Sequence, residues 1–218
     1  MYFLLIETSH SLGSISLFSE EACLQEMFLE GEFMHAEQLA VGVQKILQSF
    51  QLSAKDISAV GISDGPGSYT GLRIGASWAK GFCLPYSTPL ISCSETKALK
   101  VATQSTESVL CLIDARRMEA FGEWFDGKTK ESSGTQAWIF EENLVKEWMA
   151  QNPVLAGDAV DKLKEHFPFS WKDSGIRFSH SQHLFPEFFQ KWKSKIFENV
   201  FTYEPNYVKP VYLVPSKN

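Results

Sequence analysis

A chain of 218 residues that is 44% hydrophobic and 21% charged can bury a real core, as one large domain or two small ones, which excludes a disordered or fibrous protein. Its net charge is −6, and its 20 Lys and Arg are dispersed, with Arg116-Arg117 and Lys193 with Lys195 among the densest local pairs. Counterion release needs clustered cations, so independent binding of RNA or DNA is disfavoured.

Residues 1–6 lack a basic segment and run straight into Glu7-Thr8-Ser9, which reads as neither signal peptide nor membrane span. Cys23, Cys83, Cys93 and Cys111 show no C-x-x-C spacing, and three of them lie in apolar runs. Reduced core thiols in a cytoplasmic protein are the expectation.

In chain order, the apolar run 2–6 predicts a buried strand, and residues 14–18 alternate with period two after a turn at 10–13. A third extended segment over 23–29 completes a meander. Leu39, Val43, Ile46, Leu47 and Phe50 form one apolar stripe and predict a helix. A strand over 57–62, a tight loop over 64–68, a helix over 69–84 stopped by Pro85, a strand over 90–93 and a helix over 95–103 follow. This order implies a mixed sheet with helices packed on it.

The second half opens in the same way, with an apolar strand over 109–113, Asp114, a turn and an extended segment over 119–125. Leu4-Leu5-Ile6-Glu7 and Cys111-Leu112-Ile113-Asp114 are alike, and the likeness reads equally as chance or as two related half-domains. Helices are predicted over 141–149, 158–165 and 184–196, the last with Phe185, Phe188, Phe189 and Trp192 on one broad face. No linker intervenes, so we expect two closely joined lobes, residues 1–105 and 106–218.

The segment Ser63-Asp64-Gly65-Pro66-Gly67-Ser68-Tyr69-Thr70-Gly71 joins a strand to a helix, with Ser68 placed as N-cap. Amide groups at a helix start attract anions, and small residues admit a phosphate. However, a Walker A loop needs a Lys after its last Gly, and a dinucleotide fingerprint needs Gly where Thr70 stands. The segment reads as a tight turn or as a phosphate loop, the turn being favoured. Glu7-Thr8-Ser9 could hold a metal-bound phosphate or begin a turn, and Glu7, Asp64 and Asp114 at strand ends could converge on one cleft. His180, His183 and Glu187 have ligand-like spacing, but a helix start at the surface is the better reading, and no metal site is expected. His35 fits capping or partner contact.

On the helix over 71–83, Arg73, Ser77 and Lys80 gather on one side. Gly71, Ile74, Gly75, Trp78, Ala79 and Phe82 belong to an apolar arc of roughly 200°, about twice what one core face needs. Either the neighbouring lobe or another subunit covers the excess, and the Gly71, Gly75, Ala79 row would let a partner helix approach closely.

Leu4–Ser9, Met34-His35-Ala36-Glu37-Gln38-Leu39, the run 61–81 and Leu112-Ile113-Asp114-Ala115-Arg116 together resemble the TsaB (YeaZ) family. The most specific part is Asp64-Gly65-Pro66-Gly67-Ser68-Tyr69-Thr70-Gly71-Leu72-Arg73-Ile74-Gly75, and the likeness thins after residue 116 to Leu155-Ala156-Gly157-Asp158 and the closing Lys209-Pro210-Val211-Tyr212-Leu213. The resemblance implies an α/β actin-like ATPase (ribonuclease H-like) fold of two related lobes. It implies a non-catalytic subunit, without cofactor, in the formation of N6-threonylcarbamoyladenosine at position 37 of tRNAs reading codons that begin with A. The implied partners are the transferase TsaD and the ATPase TsaE, with tRNA reached only through the complex and self-pairing left open.

TsaD, itself related to proteins labelled peptidases, has a His-x-x-x-His pair among its metal ligands; no such pair exists among His10, His35, His166, His180 and His183, which argues against both peptidase and transferase activity. The family often has Asp where Glu7 stands, and Arg where Val214 stands. The alternative from another class is a sugar-kinase-like phosphotransferase using Glu7 and the Gly65–Gly71 loop on ATP.

Overall fold

The computed structural model describes residues 1–29 and 35–209; the side chains of residues 35 and 36 and most of the closing motif lie outside the described residues. The first half is built from β1 (Tyr2–Glu7), β2 (Gly13–Phe18), β3 (Cys23–Leu29), α1 (His35–Ser49), β4 (Ile57–Gly65), α2 (Tyr69–Cys83), β5 (Leu90–Ser94) and α3 (Glu95–Ala102). The second half contains β6 (Val109–Asp114), β7 (Glu119–Phe125), β8 (Gln136–Ile139), α4 (Glu142–Gln151), β9 (Val154–Ala156), α5 (Ala159–His166), β10 (Lys172–Asp173) and α6 (Phe185–Lys193).

The two sheets have the same plan. The first runs β3-β2-β1-β4-β5 and the second β8-β7-β6-β9-β10. In each, the central strand is antiparallel to the second strand of its hairpin and parallel to the fourth strand. The half-repeat left open by the sequence is therefore a repeat of topology, with β1 and β6 in equivalent places.

Both faces of the first sheet are covered, which is why β1 is a continuous apolar run. Leu4 and Ile6 point to a core with Val43 and Ile46 of α1 and Ala76 and Ala79 of α2. Phe3 and Leu5 point the other way, to Leu184 and Phe188. Phe188 of α6 meets Phe3 edge-on, their ring centroids 5.2 Å apart. Gly61 of β4 makes room for it, since a β-carbon there would stand 2.7 Å from the Phe188 ring.

The last helices of the halves cross between the sheets. Ala98 of α3 belongs to the core of the first sheet, while Leu99 packs with Val109, Cys111 and Ile113 of the second. α6 lies on the first sheet, although it follows the second in sequence. The chain then runs along that sheet, where the Glu198 amide donates to the Leu90 carbonyl at 2.8 Å and the Asn206 amide to the Asp64 carbonyl at 2.9 Å. The aromatic stripe of residues 184–196 thus serves the first lobe's core, and its last member, Ile196, lies beyond the helix and is exposed.

The short strands β8, β9 and β10, of four, three and two residues, were not predicted. At that length neither alternation nor composition separates a strand from a loop, and pairing with a long neighbour makes them strands. Among the described residues no helix is long and apolar enough to cross a membrane.

Candidate functional site at the ends of the first and fourth strands

Strands β1 and β4 are parallel neighbours, so the segments leaving their C-terminal ends meet. Ser68 caps α2, its hydroxyl accepting from the Gly71 amide at 3.3 Å, and the Ser68 amide donates to the Ser9 carbonyl at 2.5 Å. The Thr8 hydroxyl donates to the Gly71 carbonyl at 2.8 Å. Gly65, just before a cis peptide bond to Pro66, has φ +101°, a conformation that a side chain would strain. Glycines 67 and 71 face Ser9 and Thr8 so closely that a β-carbon on either would overlap their main chain. The small residues of the loop accommodate the chain's own Thr8-Ser9 segment.

Glu7 ends β1 with its side chain fully buried, and its carboxylate Oε1 accepts from the Ser9 amide. It faces Glu95, the first residue of α3, and His10, whose Nε2 lies 3.9 Å from a carboxylate oxygen of each. The second Glu95 oxygen accepts from the Ser179 hydroxyl at 2.9 Å and the Ser63 hydroxyl at 3.4 Å. Burial, and then the neighbouring Glu7 carboxyl, push Glu95 well above the usual carboxylate range. The His10 ring stacks on Phe178, centroids 4.8 Å apart. His10, Glu95, Ser63 and Ser179 were not anticipated as a group. They come from four separate stretches of the chain, two of them loops, and nothing local marks them.

The three strand-end carboxylates do not share one environment. Asp64 turns toward Lys191 and Glu187 of α6 and Glu198, and burial raises its pKa to about 7. Asp114 pairs with Lys162 and accepts from the Arg116 amide at 2.8 Å. Thr70 is exposed beside Tyr69 and Arg73. The ligand-like trio near the end of the chain is divided, because Glu187 binds Lys97 at 3.0 Å and the Ser94 amide at 2.9 Å, while His183 accepts from the His180 amide and is held down to about 4 by burial.

Along α2, Gly71, Gly75 and Ala79 are buried within the subunit, which corrects their assignment to a partner row. A β-carbon on Gly75 would come 2.5 Å from the Thr8 hydroxyl, so this row brings α2 onto the β1 end rather than onto another chain. Ile74, Trp78 and Phe82 are only partly buried. Trp78 and Phe82 stack at 4.9 Å and, with Val43, Leu47 and Leu52, line a groove of about 260 Å³ between α1 and α2. A larger depression of about 580 Å³ lies beside it, lined by Tyr69, Arg73, Ile74 and Trp78. His35 belongs to α1, but its side chain is outside the described residues.

Two sheets of one topology, joined by crossing helices, define a two-lobed α/β protein of actin-like, ribonuclease H-like architecture. The family profile of TsaD, tRNA N6-adenosine threonylcarbamoyltransferase, matches residues 32–167. The tRNA threonylcarbamoyladenosine biosynthesis protein TsaB of Escherichia coli is 28% identical, over 98% of this chain and 94% of its own length. That of Bacillus subtilis is 24% identical, over 76% of this chain and 67% of its own. YeaZ of Pseudomonas aeruginosa superposes with a TM-score of 0.77 at 21% identity, over 97% of this chain and 99% of its own. A second Pseudomonas aeruginosa structure, described as similar to peptidase YeaZ, reaches 0.83 at 21% identity, over 95% of this chain and 99% of its own. The chain belongs to this group of TsaD-related proteins, on its TsaB (YeaZ) branch.

Proposed function

We propose that this chain is a non-catalytic subunit in tRNA threonylcarbamoyladenosine biosynthesis, pairing with a TsaD-like transferase and, through that pair, engaging a TsaE-like ATPase. The reading rests on the family and on one observation: the place in front of the Gly65–Gly71 loop, where a phosphate would approach, is taken by Thr8 and Ser9. A loop packed on its own main chain leaves no amide cradle for ATP, so the kinase-like alternative lacks its central feature. The dispersed cations and net charge of −6 fit a subunit that leaves tRNA to its partner.

The pairing surface is the outer edge of α2 with the α1 groove. Ile74, Trp78 and Phe82 present apolar and aromatic area there, and aromatic anchors dominate binding at interfaces of about 1,600 Å². The test is size-exclusion chromatography of the chain with its TsaD-like partner, alongside circular dichroism. Trp78→Asp is expected to stay folded, to stop co-eluting and to abolish tRNA modification by the reconstituted set. A folded Ile74→Asp, Trp78→Asp double variant that still co-elutes removes this surface from the interface. ATP turnover by the pure chain, lost in Glu7→Ala, overturns the non-catalytic reading.

A further inference from the structure

The Glu7, His10 and Glu95 cluster has no part in the pairing surface, yet it is among the most buried polar groups of the first lobe. Glu7 is 0% and Glu95 2% exposed, and one donor atom from each of the three residues lies within 4.8 Å of the others. Among the described residues, the ion-pair partner of either carboxylate is His10, and neither has a Lys or Arg. Two carboxylates taken from water into one pocket carry a charge that must be compensated inside it.

The hydrogen bonds show which atoms are left for that purpose. Glu7 Oε1 is held by the Ser9 amide, and Glu95 Oε2 by the hydroxyls of Ser63 and Ser179. The ring of His10 is fixed against Phe178. Each acid is thus oriented from behind, as carboxylates around a bound cation are. Among the described residues no backbone amide, hydroxyl or cationic group donates to the buried Glu7 Oε2, which leaves it beside the Glu95 carboxyl. A fully buried carboxylate oxygen without such a donor, beside a second acid and an imidazole, is the arrangement a cation completes.

We propose that Glu7, His10 and Glu95 form a binding site for one divalent first-row metal ion, of the zinc class, which braces the end of β1 against the start of α3. One imidazole nitrogen and two carboxylate oxygens suit that class better than magnesium or calcium, which take oxygen donors. Ligand bonds of about 2.1 Å in tetrahedral geometry set donors about 3.4 Å apart. Both His10 separations of 3.9 Å, to Glu95 Oε1 and to the Glu7 Oε1 that also takes the Ser9 amide, need to close by roughly half an ångström, so Glu7 meets the ion through Oε1 or by turning Oε2 to it. The ion would tie the first sheet to α3 and, through the Ser179 hydrogen bond, to the segment that leads into α6. Its role is structural, and it neither requires nor supplies catalysis.

The experiment uses the full chain, stripped with chelator and titrated with zinc chloride by calorimetry, with thermal unfolding followed in parallel. The expected result is one zinc per chain and a rise in melting temperature of several degrees. Glu95→Gln, which keeps the shape and the serine contacts, should weaken zinc binding at least tenfold. His10→Phe, which keeps the stacking on Phe178, should do the same. Cobalt in place of zinc should give visible absorption bands in the wild type that are lost in His10→Phe. A wild type that binds no zinc overturns the proposal and leaves a proton shared between Glu7 and Glu95 as the compensating charge. Zinc bound equally well by His10→Phe also overturns it, since the ion then sits elsewhere. These readouts need no partner, so the proposed function can fail without touching them, and the reverse.

Discussion

Gly71 of α2 rests on the carbonyl oxygen of Thr8, and the Thr8 hydroxyl donates to the Gly71 carbonyl at 2.8 Å. Two main chains meet there with no side chain between them, so neither can yield without moving β1 or α2. Gly71→Ala is therefore expected to cost about 3 kcal/mol, the upper part of the overpacking range. Gly81 lies in the same helix, and a methyl group added there would have nothing within 4 Å, so Gly81→Ala should instead gain about 0.5–1 kcal/mol. Urea denaturation of the two variants checks both signs at once. Equal effects would show that helix propensity, not the Thr8 contact, governs this helix.

Gly65 carries φ +101°. Gly65→Val places a β-branched residue in that conformation and is expected to lose about 1–3 kcal/mol. Its β-carbon would also come 3.0 Å from Leu72, so the loss should not be recovered by Gly65→Ala. Thermal melts of both variants decide it, and an unchanged melting temperature would mean the loop relaxes freely.

Phe188 is fully buried against Phe3 and Gly61, in the core of a sheet that precedes it by more than ninety residues. Phe188→Ala should cost about 3–5 kcal/mol. Because α6 covers the first sheet, hydrogen exchange should speed up in β1, β4 and β5 of the variant. Acceleration confined to the second sheet would contradict the crossing of α6.

Asp64 titrates near pH 7 because burial disfavours its charged form. The folded-state pKa lies above the unfolded value, so its stabilising contribution is complete below about pH 3.8 and falls as pH rises toward about 7. Asp64→Asn holds the neutral form at every pH. The variant should match the wild type at pH 4 and exceed it by about 2 kcal/mol at pH 8, after allowing for partial exposure. Denaturation midpoints at the two pH values test the sign, and a variant less stable at pH 8 would show that Lys191 holds a charged Asp64.

The sequence by itself determined the long elements. Continuous apolar runs at residues 2–6 and 109–113 and the stripe from Leu39 to Leu47 are local patterns, and burial follows directly from them. The Ser68 cap was also legible, because a cap is a property of a few consecutive residues. Which apolar residues face which neighbour was decided only in three dimensions. Gly75 and Ala79 sit in an apolar arc on a helical wheel that could have met a partner helix, but α2 lies close on the end of β1, where Gly75 meets Thr8, and both are buried, leaving Trp78 and Phe82 at the edge. The meeting of Glu7, His10 and Glu95 required the parallel pairing of β1 with β4 and of β4 with β5, which carries the start of α3 to the end of β1. Pairing across such separations is set by the whole sheet, and no window of sequence contains it.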